Sequence, residues 1–474
     1  MSCTPRANLR NILITVALGS FMGQIDNSIV NVSLPIIQKE FNISLTLTEW
    51  VVTAYLITIS STLLLCGKLA DSFGRKRIFV TGLVLFTAGS LICGLSGNIS
   101  ILLVGRIIQA VGGAMVISSG PAISTHAAEE KDRGKALSVT AVSIAAALCL
   151  GPLLGGILTA AFGWHSIFFV NIPVGIIAIF LAVRNIEKDE PKTNALFDWK
   201  GGALFVVSLW LILIPLDTVG EPYMPVGLFT GLLIAGVLLW VLFVFYERKQ
   251  LNPVLRLSLF RSRIFVYNAI AATLNFTAMY IYVFLLPFYL ETFRHFSTVQ
   301  TGFLYLPMPL AFLIAAPTSG TLSDRIGSRG LCIAGMGIMS VALFLMNFLG
   351  QNTGLPYLIL AVALIGVGYG MFQTPNNSAV LGSVPDADRG VTSGTLQTMK
   401  NIGMIFGVTV SGSLFTALQN LDKQNAIAQK LSAQATQSQS FTFALHITFL
   451  VAMVIALLAM VACIPTKARN TGKQ

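Results

Sequence analysis

Charged residues are scarce in this chain. Asp, Glu, Lys and Arg make up 10% of its 474 residues, whereas soluble domains usually carry about 25%. The six cysteines show neither CxxC spacing nor paired loop positions, which argues against a disulfide framework and favours reduced packing residues. The four histidines lack metal-ligand spacing, so no metal or other cofactor is predicted.

Two further absences limit the function. The chain contains no G-x-x-x-x-G-K-[ST] phosphate-binding loop, so ATP is not predicted as its energy source. No pattern of a nucleophile with its base can be read, so we do not predict an enzyme.

Apolar residues are abundant instead. They make up 55% of the chain, and the mean hydropathy is +0.79. A transmembrane helix needs roughly 20 mostly apolar residues, and such runs recur along the whole sequence. This pattern predicts an all-α integral membrane protein with fourteen transmembrane helices. The runs lie near 11–34, 50–69, 77–96, 100–123, 136–160, 166–184, 201–216, 226–246, 264–290, 300–321, 331–350, 356–376, 391–418 and 441–464.

The net charge of +11 follows the predicted topology. With the N-terminus placed inside, Lys39, Arg294, Lys423 and Lys430 are the only basic loop residues that fall outside. The charge therefore indicates orientation rather than a nucleic-acid partner. We predict a multi-pass protein of the cytoplasmic membrane with both termini in the cytoplasm.

Two motifs occur twice. "GKLADSFGRKR" at 67–77 returns as "GTLSDRIGSRG" at 320–330, which places Asp324 253 positions after Asp71. "DRGKALS" at 132–138 returns as "DRGVTSG" at 388–394, with an offset of 256. Nearly equal offsets for independent motifs indicate two homologous halves.

The repeat sets the predicted domain organisation, because both motifs follow the second and fourth helices of a six-helix unit. We predict an N-terminal six-helix bundle over 1–190 and a C-terminal six-helix bundle over 263–474. Residues 191–262 form the linker, which carries two additional transmembrane helices.

The loop motif has a mechanical interpretation. Gly67 and Gly74 allow tight packing and a sharp turn where helix 2 ends. Asp71 can accept hydrogen bonds from a neighbouring helix N-terminus and so act as a latch on the inner gate. The full set of predicted gating residues is Gly67, Asp71, Gly74, Arg75, Asp324 and Arg325.

These motifs make the chain resemble the major facilitator superfamily, specifically its fourteen-helix drug:proton antiporter branch. The 67–77 loop is similar to the superfamily's loop signature. "IDNSIVNVSLPII" at 25–37, "WVVTAYLI" at 50–57, "GWHSIFFVNIPVG" at 163–175 and "FDWKG" at 197–201 resemble signatures of the branch. The resemblance implies alternating access, with substrate bound near the midplane between two six-helix halves.

"ALCLGPLLGGIL" at 147–158 is similar to the branch's antiporter motif GxxxGPxxGG, with Ala147 in place of the first glycine. Small residues four positions apart let helices approach closely, and Pro152 permits a bend. Ordinary small-residue packing is the alternative interpretation. The predicted motif residues are Gly151, Pro152, Gly155 and Gly156.

Asp26 is the only acidic residue placed well inside an apolar run, and Arg106 lies inside helix 4. From a rise of 1.5 Å per residue, both lie about 8–9 Å from the outer edge of the hydrocarbon core, so a pair is compatible with their depths. Three interpretations of Asp26 stay open: a structural carboxylate, a ligand for a cationic substrate, or a proton-coupling site. The resemblance implies the third, with Arg106 tuning the carboxylate.

Other embedded polar residues are less specific. Lys400 is interpreted as a lysine that snorkels to the inner interface. Glu291, Arg294 and His295 form an unexpectedly charged stretch, for which an outer-gate salt bridge is one hypothesis. The candidate substrate contacts are Asp26, Asn31, Tyr55, Gln109, Asn275, Phe276, Tyr280, Gln373 and Asn376.

The resemblance implies a proton-coupled antiporter that exports amphipathic, cationic compounds. Its expected partners are a lipophilic small molecule, protons and membrane lipid, without nucleic acid, and it is expected to act as a monomer. A dedicated exporter of one metabolite, lipid or antibiotic is the alternative within transport. A non-transporting membrane sensor is the alternative outside it.

Overall fold

The computed structural model describes residues 6–129, 132–187, 198–217, 225–250, 255–385, 389–428 and 432–465. Within these ranges every regular element is helical, and fourteen helices are long and apolar enough to cross a membrane. The protein is thus an all-α, multi-pass membrane protein, as the hydrophobic runs predicted. Each predicted run lies on one of these spans, which mostly extend beyond it. The polar segment 188–197 lies outside the described residues.

We number the fourteen helices in chain order. Four short elements adjoin three of these helices: Ser166–Phe169 before α6, the 3-10 helix Leu257–Arg261 before α9, the π-helix Phe288–Phe293 after α9, and Thr298–Tyr305 before α10. The helices are α1 (Arg6–Phe41), α2 (Leu45–Phe73), α3 (Arg75–Gly94), α4 (Ile99–Ala127), α5 (Arg133–Phe162), α6 (Asn171–Asn185), α7 (Trp199–Asp217), α8 (Val226–Glu247), α9 (Arg263–Pro287), α10 (Pro307–Ile326), α11 (Ser328–Met346), α12 (Leu355–Gly382), α13 (Arg389–Ala428) and α14 (Ala433–Ala462).

The helices group into two compact units. The first contains α1–α6, the greater part of α7 and α8, and the short segment Ser297–Phe303. The second contains α9–α14. The exact boundaries at 190 and 262 stay a prediction.

Both units use the same glycine contact between consecutive helices. A Cβ built on Gly82 of α3 would meet the carbonyl oxygen of Gly112 on α4 at 2.9 Å, so the two backbones nearly touch. In the second unit, a Cβ on Gly335 of α11 would meet the carbonyl of Gly368 on α12 at 2.8 Å. The second pair lies 253 and 256 positions after the first, the same offsets as the sequence motifs. The sequence repeat therefore corresponds to a repeated contact between consecutive helices.

A second glycine pair is also repeated. Gly155 on α5 faces Ile29 of α1, where an added Cβ would meet the carbonyl oxygen at 2.8 Å. Gly407 on α13 faces Thr277 of α9, where an added Cβ would meet the carbonyl oxygen at 2.6 Å. Because small residues let helix backbones approach, α1 packs on α5 and α9 packs on α13 in the same way.

The loop motif ends its helix with the same turn in both copies. Gly74, between α2 and α3, has φ +96°, and Gly327, between α10 and α11, has φ +86°. Side-chain-bearing residues rarely adopt positive φ, so glycine is the residue that permits these junctions. The predicted sharp turn at Gly74 is present.

Candidate functional site

The buried ion pair of α1 and α4

The centre of the first unit is an ion pair between two helices. Arg106 Nη1 on α4 donates to Asp26 Oδ2 on α1 at 2.5 Å, and both side chains are at most 1% exposed. The two residues that the sequence placed at one depth therefore meet. Because a carboxylate and a guanidinium are each costly inside a membrane, pairing them is the arrangement that makes their burial tolerable.

Neutral side chains complete the hydrogen bonding of the carboxylate. Gln109 Nε2 donates to Asp26 Oδ1 at 2.7 Å and also to Ser90 Oγ at 2.7 Å. Asn171 Nδ2, at the start of α6, donates to the same Asp26 oxygen at 3.1 Å. All four side chains are at least 98% buried. Asp26 is thus held by charge and by amide donors together.

Arg106 has partners besides Asp26. Its Nε donates to the Val51 carbonyl on α2 at 2.9 Å, and Nη1 also donates to Gln109 Oε1 at 2.7 Å. The guanidinium lies 4.1 Å from the centre of the Tyr55 ring and 5.9 Å from that of Phe168. A cation over an aromatic face is stabilised by the ring quadrupole. The arginine would therefore keep favourable contacts if the carboxylate lost its charge.

Packing and loop motifs

The antiporter motif of α5 packs against α1 directly after Asp26. A Cβ on Gly151 would collide with the Ser28 side chain, and Ser28 Oγ donates to the carbonyl of Ala147 at 3.3 Å. Gly156 faces the backbone of Thr298, and Pro152 faces Gly302, where a Cβ would meet the proline carbonyl at 2.6 Å. The close approach predicted for these small residues is present.

The loop motif agrees with prediction only in part. Asp71, near the end of α2, is 53% exposed and forms an ion pair at 3.6 Å with Arg75, the first residue of α3. The prediction of tight packing at Gly67 is wrong. A Cβ built there would meet only Ser118 of α4, at an ordinary van der Waals distance of 4.0 Å. In the second copy, Asp324 and Arg325 are exposed.

The polar residues of the second unit

Lys400 on α13 is buried. Its side chain is 96% buried, and Nζ donates to Asn377 Oδ1 on α12 at 2.7 Å. The expected snorkelling to the interface is therefore wrong, since the amide of Asn377 holds the ammonium inside the bundle. Within the described residues no carboxylate forms an ion pair with Lys400.

One of the candidate contacts of α9, Phe276, lies close to this lysine. Phe276 lies 5.9 Å from Lys400 Nζ and packs edge-to-face against Tyr369 at 5.7 Å. Asn275 points elsewhere, because its Nδ2 lies 3.2 Å and 3.3 Å from the sulfurs of Met336 and Met339 on α11.

The remaining candidates are buried to different degrees. Tyr280 is 6% exposed and Asn376 is fully buried, whereas Gln373 is half-buried. Asn31, in the first unit, donates to the Asn27 carbonyl at 2.8 Å within α1. Burial alone does not assign any of them to a substrate.

The charged stretch after α9 does not form the hypothesised outer-gate salt bridge through Arg294. That guanidinium donates instead to Tyr289 Oη at 3.1 Å and to the Thr353 carbonyl at 2.8 Å. A π-helix over Phe288–Phe293 carries Glu291, and His295 adopts φ +56°. The acceptors of Arg294 in this stretch are therefore neutral oxygens.

Comparison with known proteins

The family model described as "Major Facilitator Superfamily" matches residues 16–408. The chain belongs to the major facilitator superfamily. It is 34% identical over 442 residues to the riboflavin transporter RibZ of Clostridioides difficile, covering 93% of this chain and 95% of that one. It is 31% identical over 412 residues to the multidrug resistance protein Stp of Mycobacterium tuberculosis, covering 85% and 75%.

Solved structures of the superfamily share the fold. A bacterial homolog of the human lysosomal transporter Spinster, in an inward-facing and unoccupied conformation, superposes with a TM-score of 0.69 at 15% identity, covering 99% of this chain and all of that one. A peptide transporter POT in complex with sulfate gives the same score, covering 96% and 94%. The chain is therefore a major facilitator transporter of a small molecule.

Sequence reasoning missed part of this transporter's ion-pair site. Asn171 lies within the quoted "GWHSIFFVNIPVG" stretch, but nothing in its spacing relates it to Asp26, 145 residues away. Ser90 carries no motif at all. Asn171 offered one signal, since it is an amide in an otherwise apolar run, two residues before Pro173.

Proposed function

We propose that the protein is a proton-coupled antiporter that exports an amphipathic small molecule from the cytoplasm by alternating access. The observation that carries the proposal is the Asp26–Arg106 ion pair, a titratable carboxylate buried in the membrane and held by its counter-charge. Ionisable residues in such positions commonly mark proton pathways. The proposed location is the cytoplasmic membrane, with both termini inside and the monomer as the working unit.

In this mechanism the proton exchanges at Asp26. When Asp26 is charged, Arg106 is held against α1. A proton on Asp26 removes the attraction, while Arg106 keeps its bonds to Val51 and Gln109 and its contact with Tyr55. The state of the carboxylate thereby changes how strongly α1 is tied to α4.

Two motifs would support the conformational cycle. The close packing of Gly151 and Gly155 on α1 would transmit a shift of α1 to α5. The junction of α2 and α3, with the exposed Asp71 paired to Arg75, would latch the inner gate. We propose these as positioning and gating roles rather than as contacts with substrate.

The proton gradient is sufficient for concentrative export. One proton moving down one pH unit supplies about 1.4 kcal/mol, and crossing 100 mV supplies about 2.3 kcal/mol. With one proton per neutral substrate, the sum supports a concentration ratio of roughly 500.

The test uses purified protein in liposomes that contain a pH-sensitive dye. An imposed proton gradient is combined with ethidium, a quaternary ammonium compound or riboflavin, and wild type is compared with Asp26→Asn. We expect substrate-dependent proton flux in wild type and none in Asp26→Asn. Uphill transport by the Asn variant would refute a proton role for Asp26.

A second candidate is a dedicated transporter of one metabolite by the same mechanism. It is favoured by the 34% identity to a protein named as a riboflavin transporter, which extends over nearly the whole of both chains. Flux with riboflavin alone would support this narrower function. Flux with several unrelated cations would support multidrug efflux and the predicted cationic substrate.

A further inference from the structure

The second unit contains amide side chains of α12 and α13, two of them buried and three half-buried, together with the buried Lys400. Asn376 and Asn377 follow Gln373 on α12, while Gln397 and Asn401 flank the buried cation on α13, one turn before it and next to it. We call these residues the α12–α13 polar cluster, comprising Gln373, Asn376, Asn377, Gln397, Lys400 and Asn401. Two bonds are internal to it: Lys400 to Asn377 at 2.7 Å and Gln397 to Asn401 at 2.9 Å.

The cluster contains a buried lysine that pairs with no carboxylate among the described residues. A lysine ammonium has three donors, and Lys400 uses one of them, on a neutral amide oxygen. Within the described residues no carboxylate comes within ion-pair distance of it. A ligand with carbonyl or anionic oxygens would satisfy the remaining donors, whereas a fixed positive charge at the same place would be repelled.

The cluster also holds amides that lack partners. Asn376 is fully buried, and neither its Oδ1 nor its Nδ2 has a hydrogen-bond partner among the residues that the structure describes. Gln373 Oε1, one turn earlier, is likewise buried without a partner. Native proteins rarely leave buried amides unsatisfied unless the group serves another purpose. Together they offer donors and acceptors for a ligand that carries both.

Aromatic rings lie on one side of the cluster. Phe276 approaches the ammonium at 5.9 Å and meets Tyr369 at 5.7 Å with an interplanar angle of 89°. Tyr369 in turn lies 5.0 Å from Phe312. Tyr369, Gln373 and Asn376 follow one another at helical spacing on α12, so rings and amides share one side of that helix. This combination suits a flat ligand with a polar edge.

We propose that the α12–α13 polar cluster binds the transported compound and selects a planar heteroaromatic molecule that carries carbonyl or imide groups and a neutral or negative charge. Lys400 is then a specificity-determining residue that excludes cations. The inference rests on the proposed function in so far as the chain transports a small molecule, but it does not depend on proton coupling at Asp26.

The first experiment measures equilibrium binding to purified protein by fluorescence. The probes are riboflavin, which is planar and neutral, flavin mononucleotide, which adds a phosphate to the same ring system, and ethidium, which is planar with a fixed positive charge. We expect both flavins to bind more tightly than ethidium. Lys400→Glu should lower the affinity for flavin mononucleotide at least tenfold and raise the affinity for ethidium. The matched change Lys423→Glu, on the same helix, should leave the order of the three affinities unchanged.

The second experiment separates binding from structure. Asn376→Leu removes two polar atoms that have no internal partner, so the midpoint of thermal unfolding should stay constant or rise while riboflavin affinity falls at least tenfold. The matched change Gln397→Leu removes an amide that donates to Asn401 within α13, so it should lower the midpoint of thermal unfolding. A fall in both quantities for Asn376→Leu would show that the amide is structural and would overturn its ligand role.

Three outcomes would overturn the proposed class. They are a failure of both flavins to bind at millimolar concentration, ethidium binding as tight as that of riboflavin, or flavin binding that Lys400→Glu does not change. Asp26→Asn separates this inference from the proposed function, because it should abolish coupled flux yet retain the binding order. Loss of coupling with intact selectivity would therefore concern Asp26 alone.

Discussion

The two units are built alike but hold their buried charges differently. In the first unit Asp26 is satisfied by Arg106, Gln109 and Asn171, so the site is closed within the protein. In the second unit, the hydrogen-bond partner that the described residues give Lys400 is the neutral amide of Asn377. A neutralised pair is suited to switching when a proton arrives, and an uncompensated cation is suited to receiving a ligand.

The helix contacts and turns are repeated in the two units, whereas the buried charged residues are not. The glycine contacts of α3 with α4 recur in α11 with α12, and the positive φ of Gly74 recurs at Gly327. Ile29 of α1 and Thr277 of α9 make equivalent glycine contacts 248 positions apart, and the residue 248 positions after Asp26 is Leu274. Duplication therefore preserved helix packing while the buried ionisable groups of the two halves diverged.

The largest expected effect is at the paired site. Asp26→Asn should reduce proton-coupled flux to background, because the side chain keeps its shape but cannot release a proton. Flux is measured in liposomes, with Asp26→Glu as the variant expected to retain part of it. Coupled flux in the Asp26→Asn variant would mean that another residue carries the coupled proton.

Stability should distinguish the paired from the unpaired charge. Arg106→Gln leaves a buried carboxylate without its counter-charge and should destabilise the fold by about 3–5 kcal/mol. Lys400→Gln removes a charge with no counter-ion and should cost little or raise stability. Thermal unfolding in detergent measures both. Equal losses would mean that Lys400 is also structurally paired.

The glycine contacts should be equally sensitive in both units. Leucine at Gly151 or at Gly403 would collide with Ser28 or with the Thr273 carbonyl, and overpacking of this kind costs about 1–3 kcal/mol or more. Gly231 on α8, where a Cβ would meet nothing within 4 Å, provides the control. Loss of coupled flux at 151 without loss at 231 supports the packing role. A fully coupled Gly151→Leu variant would refute it.

Adding a carboxylate beside Lys400 should make the second unit resemble the first. Asn377→Asp would pair the ammonium at the position now 2.7 Å away. Flavin mononucleotide affinity should fall about tenfold, since the charge that attracts it is neutralised. Binding titrations test this, with Asn377→Gln as the uncharged control. An unchanged affinity would separate Lys400 from the ligand.

The smallest effects are expected at the turns. Gly74→Ala and Gly327→Ala should each cost about 1–2 kcal/mol, because alanine is strained at positive φ. Gly67→Ala should fall within about 0.5 kcal/mol of wild type, since its surroundings have room. Unfolding midpoints of the three variants give the comparison. A larger loss of stability in Gly67→Ala than in Gly74→Ala would contradict this expectation.

Sequence reasoning reached the fold because apolar length and repeated motifs are local signals. It also placed Asp26 and Arg106 at one depth, since helical rise converts residue number into height. It was wrong about Lys400, because whether a lysine reaches the interface depends on the side chains that neighbouring helices place beside it. The partner that holds Lys400 inside the bundle, Asn377, belongs to another helix. It missed Asn171 because helix height says nothing about which face of α6 meets α1.

The sequence by itself determined that this is a fourteen-helix membrane transporter with two related halves, because hydrophobic run length and motif repetition do not depend on how helices pack. Only the tertiary structure decided which buried charge is paired. Asp26 meets an arginine and an amide from α4 and a second amide from α6, whereas Lys400, among the described residues, meets one amide and an aromatic ring. The physical reason is that ion pairing operates over a few ångströms between side chains far apart in the chain, and helix rotation and packing alone set those distances.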